Sequence, residues 1–166
     1  MDSRIKTAIG LREEGKTEEA KNLLLEVLKE RPDDALANYQ CAWTHDRLGL
    51  ETQAVPYYVS AIKCGLKGAD LEGADLEGAF LGLGSTYRTI GEYEKSFETL
   101  ERGSRAFPQN RALQIFMSMS LYNLGRHAEA MEILLRNIIE TSSDPAIQKY
   151  ERAISYYKDK LDETWK

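Results

Sequence analysis

Apolar positions recur along this chain with the period of an amphipathic α-helix, and glycines interrupt the runs. Five residues fit the i, i+3/i+4 spacing of one helix face: Phe116, Met117, Ser120, Leu121 and Leu124. Gly125 then breaks the run, and residues 130–138 resume the same spacing. Such spacing places the apolar side chains on one face of each helix. Glycine supplies the left-handed backbone that ends one helix and lets the next begin, so the pattern predicts a helical hairpin.

The hairpin pattern occurs four times. The turn glycines lie at intervals of 34, 42 and 34 residues, at Gly15, Gly49, Gly91 and Gly125. A small residue follows each glycine five positions later: Ala20, Ala54, Ser96 and Ala130. A small side chain allows the second helix to approach the first closely. Pro32 and Pro108 each follow a turn glycine by seventeen positions and predict the end of a second helix.

The longer interval of 42 residues contains a short tandem duplication. The predicted hairpins occupy about 1–34, 35–68, 77–110 and 111–144, which leaves an insert at 68–76. The sequence GADLE occurs there twice, as Gly68–Glu72 and Gly73–Glu77. Five residues turn a helix by about 500°, so the two copies cannot face the same neighbour on one straight helix. We therefore expect one copy in the next helix and one in a loop or extra turn, with Asp70 or Asp75 as the N-cap.

The last segment predicts a single capping helix over 145–163. Asp144 followed by Pro145 is typical of a helix start, with an acidic N-cap and proline in the first turn. One apolar stripe follows at spacings of 3, 4, 3 and 4: Ile147, Tyr150, Ile154, Tyr157 and Leu161. We expect this stripe to cover the open face of the fourth hairpin, within a single domain that spans 1–166.

These features together resemble the tetratricopeptide repeat family, as a small stand-alone bacterial-type member. The third hairpin carries most of the family signature: Phe80, Leu83, Gly84, Tyr87, Gly91, Ser96, Leu100, Gly103 and Pro108. The resemblance implies an all-α superhelix, a solenoid of four helical hairpins plus a C-terminal capping helix. It also implies a scaffold that binds proteins.

Composition excludes several other functions. The chain has 166 residues, a formal net charge of −5 and no clustered Lys and Arg, which argues against nucleic acid and anionic membranes as partners. No apolar run approaches the ~20 residues that a membrane span requires. Two cysteines are too few for a disulfide framework. We expect a cytoplasmic protein with reduced thiols.

Candidate catalytic chemistry is sparse. No phosphate-binding glycine loop, nucleophile elbow or zinc-protease motif is present in the sequence. Cys41 and His45 are four positions apart on one helix face, but a zinc site needs three or four ligands, so a buried thiol and a packed imidazole are expected. The expectation is a non-enzymatic protein without a metal or cofactor.

The resemblance also implies where a partner binds. In this family the first helices of the hairpins line a concave groove, and four positions of each repeat contact the ligand. The matching positions that we predict as partner-binding are Ile5, Ile9, Arg12, Tyr39, Trp43, Leu81, Arg88, Ile115, Met119 and Tyr122. Clustered apolar and aromatic side chains favour a protein or peptide partner, and Arg12 and Arg88 could pair with its acidic groups.

One class of partner does not fit this groove. Family members that grip the C-terminal tails of heat-shock chaperones use Lys, Asn and Arg at five positions, which here are Ile5, Ile9, Gln40, Gly78 and Gly82. Two interpretations of the groove remain. It is an open site for a peptide or helix of a partner, or it is filled by the protein itself. In the second case a homodimer, or the tail that carries Trp165, would cover the aromatic residues.

Overall fold

The computed structural model describes residues 2–65 and 74–165, and of residues 74 and 75 it describes the backbone alone. These residues form nine α-helices and no strand: α1 Ser3–Glu13, α2 Thr17–Glu30, α3 Ala35–Arg47, α4 Glu51–Cys64, α5 Ala74–Thr89, α6 Tyr93–Ala106, α7 Arg111–Asn123, α8 His127–Thr141 and α9 Pro145–Tyr157. The all-α prediction is therefore confirmed. Among these helices, none combines the length and the apolar character needed to cross a membrane.

The helices form two layers. Each helix packs against the next one in the chain, and the first helices α1, α3, α5 and α7 also pack against one another in order. The second helices α2, α4, α6 and α8 make no such contacts with one another, so they spread apart on the outer side. This arrangement is a superhelix of hairpins whose first helices line the concave face. The core lies between adjacent hairpins rather than at one centre.

The turn residues behave as the sequence predicts. The four turn glycines have φ between 71° and 84°, in the left-handed region that favours glycine. The small residues five positions later are buried at the contact between the two helices of each hairpin. Ser96 differs from its three alanine counterparts, because its hydroxyl lies 2.6 Å from the carbonyl oxygen of Gly84 and 2.7 Å from Oγ of Ser120. It thereby links α6 to both α5 and α7.

Side-chain caps mark the starts of three of the first helices. Asp2, Asp34 and Asn110 accept hydrogen bonds from backbone N–H groups in the first turns of α1, α3 and α7. The second helices α2, α4, α6 and α8 have no side-chain cap. Each of them instead begins directly after a tight glycine turn. A cap is worth about 1 kcal/mol, so these caps help to fix the starts of α1, α3 and α7.

The C-terminal helix differs from its prediction. Asp144 caps it as expected, through hydrogen bonds from the backbone of Ala146 and Ile147, but the helix ends at Tyr157 rather than at 163. None of its residues is buried. The predicted stripe lies on one side of the helix but is only partly covered. Ile147 and Ile154 are half-buried, whereas Tyr150 and Tyr157 are exposed.

The duplicated segment is described only in part. Its second copy enters helix α5, which contains Ala74 to Glu77. Asp75 is thus the second residue of the helix and not a cap that precedes it. The first copy, Gly68–Glu72, lies outside the described residues, together with the suggested cap Asp70.

Candidate functional site on the concave face

A depression of about 390 Å³ opens on the concave face where α3, α5 and α7 meet. We call it the central depression, and its lining residues are Tyr39, Trp43, Asp46, Arg47, Tyr58, Gly78, Leu81, Gly82, Ser85 and Phe116. Of the predicted partner-binding residues it brings together Tyr39, Trp43 and Leu81. Gly78 and Gly82 allow the rings of Tyr39 and Tyr58 to pack against the backbone of α5, because a Cβ at either position would collide with one of these rings.

Trp43 is the most exposed aromatic side chain of the central depression. It is 41% exposed, and its ring stacks with that of Tyr39 at a centroid distance of 6.2 Å. The Arg12 guanidinium carbon lies 3.9 Å from the centroid of the Trp43 ring, close enough for a cation–π interaction. The ring of Trp43 is therefore held from one side by a charged group of the preceding repeat.

Arg12 itself is not presented to a partner. Its side chain is 2% exposed, and its guanidinium donates hydrogen bonds to the carbonyl oxygen and Oε1 of Gln40 and to Oγ1 of Thr44. Burial lowers the pKa of the Arg12 guanidinium. The prediction that Arg12 pairs with an acidic ligand is replaced by a supporting role beneath Trp43. The sequence does not show this, because Gln40 and Thr44 lie about thirty positions away on α3.

A carboxylate network lies at the floor of the depression. The Tyr58 hydroxyl donates to Oδ2 of Asp46 at 2.7 Å, and Oγ1 of Thr86 lies 3.0 Å from the same oxygen. The Thr86 hydroxyl also lies 2.8 Å from the carbonyl oxygen of Gly82, so it shares its proton between two acceptors. Burial raises the pKa of Asp46, and the hydrogen bonds from Tyr58 and Thr86 oppose that shift. The network joins α3, α4 and α5.

The first hairpin contributes less to the concave surface than predicted. Ile5 is 1% exposed and packs in the core of the first two hairpins, so it cannot contact a partner on the surface. Ile9 is half-buried against the same core. On α5, Arg88 is half-buried and lies outside the central depression. Its Nε is buried without a hydrogen-bond partner among the described residues.

Helix α7 presents a face slightly different from the predicted one. Phe116 reaches the central depression, whereas the predicted residues Ile115, Met119 and Tyr122 do not line it. Tyr122 is 64% exposed and contacts the ring of His127 at 4.8 Å. Consecutive helical residues point about 100° apart, so the rotation of α7 about its own axis decides whether Ile115 or Phe116 faces the depression. The sequence pattern cannot fix this rotation because both side chains are apolar.

The C-terminal tail does not occupy the central depression. The ring of Trp165 packs against Tyr156 and Tyr157 at centroid distances of 6.4 and 5.4 Å. All three residues belong to the end of α9 and the segment that follows it. Of the two ways in which the protein could fill its own groove, the one that uses Trp165 is therefore not observed.

Two further features lie away from this face. Cys41 and His45 are both buried, and Nδ1 of His45 donates to the carbonyl oxygen of Cys41 at 2.8 Å. Within the described part of the chain, no three His, Cys, Asp or Glu side chains group in a way that could hold a metal ion.

A larger hollow of about 720 Å³ lies on the outer side, where α2 and α4 spread apart, and its residues include Leu25, Pro56 and Tyr57. No pattern in the sequence predicted this hollow.

Comparison with known proteins decides the family. A family model described as "Tetratrico peptide repeat" matches residues 35–161, which is more than half of the chain. The chain belongs to the tetratricopeptide repeat family. The match begins at α3 and extends past α9, so it includes three hairpins and the C-terminal helix.

Solved structures of tetratricopeptide repeat proteins share the fold. YrrB, described as a TPR protein with an unusual peptide-binding site, superposes with a TM-score of 0.71 at 17% identity, over 95% of this chain and 77% of YrrB. MamA superposes with a TM-score of 0.70 at 18% identity, over 92% of this chain and 90% of MamA. PilF of Pseudomonas aeruginosa superposes with a TM-score of 0.68 at 17% identity, over 99% of this chain and 77% of PilF. At these identities the likeness concerns the fold alone. No curated protein matches the sequence.

Proposed function

We propose that this tetratricopeptide repeat protein is a non-enzymatic protein-interaction module. It binds a peptide segment or a helix of a partner protein in the central depression. The observation that carries the proposal is Trp43, a half-exposed aromatic anchor that Arg12 holds in place at the edge of an apolar hollow. Buried or half-buried Trp, Tyr and Arg side chains dominate the free energy of binding at protein interfaces.

The lining favours a particular kind of ligand. Tyr39, Leu81 and Phe116 offer apolar surface, while Arg47 and Ser85 offer hydrogen-bond donors at the same site. Ligand sites combine such apolar walls with a few polar groups that fix orientation. A volume of about 390 Å³ is small for a drug-like ligand, and it suits one or two apolar side chains of a peptide. Arg47 can hydrogen-bond the peptide backbone or a side-chain carboxylate.

The binding test uses selection followed by measurement. A random peptide library displayed on phage is selected on the immobilised protein, and enriched peptides are titrated by fluorescence anisotropy. We expect the enriched peptides to carry large apolar or aromatic residues. We expect Trp43→Glu to weaken their binding about thirtyfold or more, the loss typical of an interface anchor. This variant should fold, because position 43 is half-exposed and the new carboxylate lies beside Arg12.

Val59→Glu is the matched control. Val59 is 42% exposed, almost the same as Trp43, and it lies on α4 outside the central depression. It receives the same new charge without touching the proposed site, so binding should not change. If Trp43→Glu keeps its helicity by circular dichroism and still binds the selected peptides normally, the site assignment is wrong. If Trp43→Glu instead dissolves a dimer seen by light scattering, the depression is the interface of a homodimer.

A further inference from the structure

Among the described residues, the C-terminal end carries the densest group of exposed large apolar side chains. Helix α9 buries none of its residues. Five large apolar side chains of α9 and the following segment are each 47–57% exposed: Tyr150, Tyr156, Tyr157, Leu161 and Trp165. The first hairpin, by contrast, has no exposed large apolar side chain among its described residues.

The three tyrosines among these side chains share one hollow on the helix. Ile147 and Ile154 are half-buried, and α9 packs against α8. The more exposed part of the helix lines a hollow of about 410 Å³, formed by Lys149, Tyr150, Arg152, Ala153, Tyr156 and Tyr157. We call these six residues the α9 face. Ala153 lies in its middle, and a small side chain at this point allows another helix to approach closely.

The size of this surface suits association. Four half-exposed aromatic side chains leave roughly 400 Å² uncovered, since each is worth about 150–250 Å² when fully buried. A standard stable interface takes about 800 Å² from each partner. The aromatic residues alone therefore supply about half of one side. Leu161 and the long side chains of Lys149 and Arg152 extend the surface around them.

The charges around the aromatic residues are arranged in opposite halves. Lys149 and Arg152 line the hollow in the first half of α9, whereas Glu151 does not line it. In the segment after the helix, Lys158 and Lys160 are paired with Glu132 and Asp159, which leaves Asp162 and Glu163 as the described charges there outside any ion pair. Among the described residues, Lys149 and Arg152 also take part in no ion pair. Lys149 lies two helical turns before Tyr156, and Glu163 lies beyond the end of the helix at Tyr157. A reversed copy of this segment would consequently bring opposite charges together.

We propose that α9 pairs antiparallel with α9 of a second copy of this chain. The twofold axis passes near Tyr156 and Tyr157, which contact their own counterparts together with Trp165. Lys149 and Arg152 of each copy face Glu163 and Asp162 of the other. Such a contact is isologous, because the same patch serves both subunits and the assembly closes as a dimer. This interface is independent of the central depression and differs from a homodimer that fills it.

Sedimentation equilibrium of the full chain tests the proposal. Protein concentrations run from about 1 µM to about 500 µM, because interfaces of modest size associate in this range. We expect the 18.8 kDa chain to approach twice its mass as concentration rises. Two double variants reverse one half of the charges each: Lys149→Glu with Arg152→Glu, and Asp162→Lys with Glu163→Lys. Each should raise the dimer Kd about tenfold, as four attractive contacts become repulsive. The fourfold variant should restore the original Kd to within about threefold.

Every result decides the proposal in one direction. Rescue by the fourfold variant supports the antiparallel pairing. Reversing the charges of both halves restores attraction only if the two halves face each other in the dimer. A wild-type chain that stays monomeric over the whole range overturns it. Weakening by both double variants without rescue also overturns it. Trp43→Glu is the control for the central depression: a dimer that this variant dissolves, while the charge reversals leave it intact, places the interface elsewhere.

Discussion

Replacing Gly82 by alanine tests whether the packing between α4 and α5 is as close as the structure shows. A Cβ at position 82 would lie 2.5 Å from Cζ and Oη of Tyr58. Real Cβ contacts are not that short, so one helix or the Tyr58 ring must move. Tyr58 is 2% exposed, and its hydroxyl is engaged by Asp46, so the ring has little room. We therefore expect Gly82→Ala to destabilise the protein.

The magnitude follows from two opposing effects. Alanine in place of glycine inside a helix normally stabilises by about 0.5–1 kcal/mol. Overpacking a filled core costs about 1–3 kcal/mol. A displaced Tyr58 also weakens its hydrogen bond to Asp46, which is worth about 1.5 kcal/mol or more when the acceptor is charged. The net effect is a loss of about 2 kcal/mol, or a Tm lower by about 4–8 °C for a chain of this length.

Gly10→Ala is the matched control in the same assay. Gly10 lies inside α1, and a Cβ there would meet no atom within 4 Å. The same substitution should thus stabilise the protein by about 0.5–1 kcal/mol. Both variants are measured by urea unfolding and thermal circular dichroism. Opposite signs support the close packing at Gly82, whereas a Gly82→Ala variant at least as stable as wild type would refute it.

Two other expectations concern titratable groups. Burial raises the pKa of Asp46 above its ordinary value of 3.8, so the folded state binds a proton at a higher pH than the unfolded state and gains stability as the pH falls towards that value. Asp46→Asn lacks this gain, so wild type should become more stable relative to the variant as the pH falls. Urea unfolding from neutral pH to about pH 4.5 measures the difference in unfolding free energy between the two proteins. A difference that stays constant over this range would contradict the assignment. Burial raises the pKa of Cys41 to about 12, while Cys64 is exposed, so maleimide should label one thiol of the folded chain and two of the unfolded chain in intact mass spectrometry. Folded Cys64→Ser should remain unlabelled, and rapid labelling of this variant would show that Cys41 is accessible.

The hairpin architecture could be predicted from the sequence because its requirements are local and repeated. A turn such as that at Gly15 needs a left-handed backbone, and glycine is the residue that adopts it without strain. The crossing beside Ala20 leaves no space for a larger side chain, which explains the small residue in every repeat. The end of α9 had no such marker. The apolar pattern continued past Tyr157, although the helix did not.

The central depression was predictable only in outline. The resemblance to the family placed Trp43 on the concave side, but it could not rank neighbouring side chains by exposure. Ile5 is buried because the second hairpin packs over it. Asp46 meets Tyr58 and Thr86, which are 12 and 40 positions away along the chain. No local pattern records such a pairing, since it depends on how three helices come together.

The two proposed surfaces have different consequences for binding because they share no residue. Trp43 belongs to the second hairpin, whereas Tyr156 lies beyond the fourth, so a dimer through α9 leaves both central depressions open. Such a dimer would hold two peptide segments at once. A partner with two binding segments would then gain affinity from the effective concentration of the second, typically by 10²–10⁴ when the linker spans the sites. The double charge reversals should remove this gain without changing the affinity for a single peptide. Trp43→Glu should remove the gain and also the binding of a single peptide.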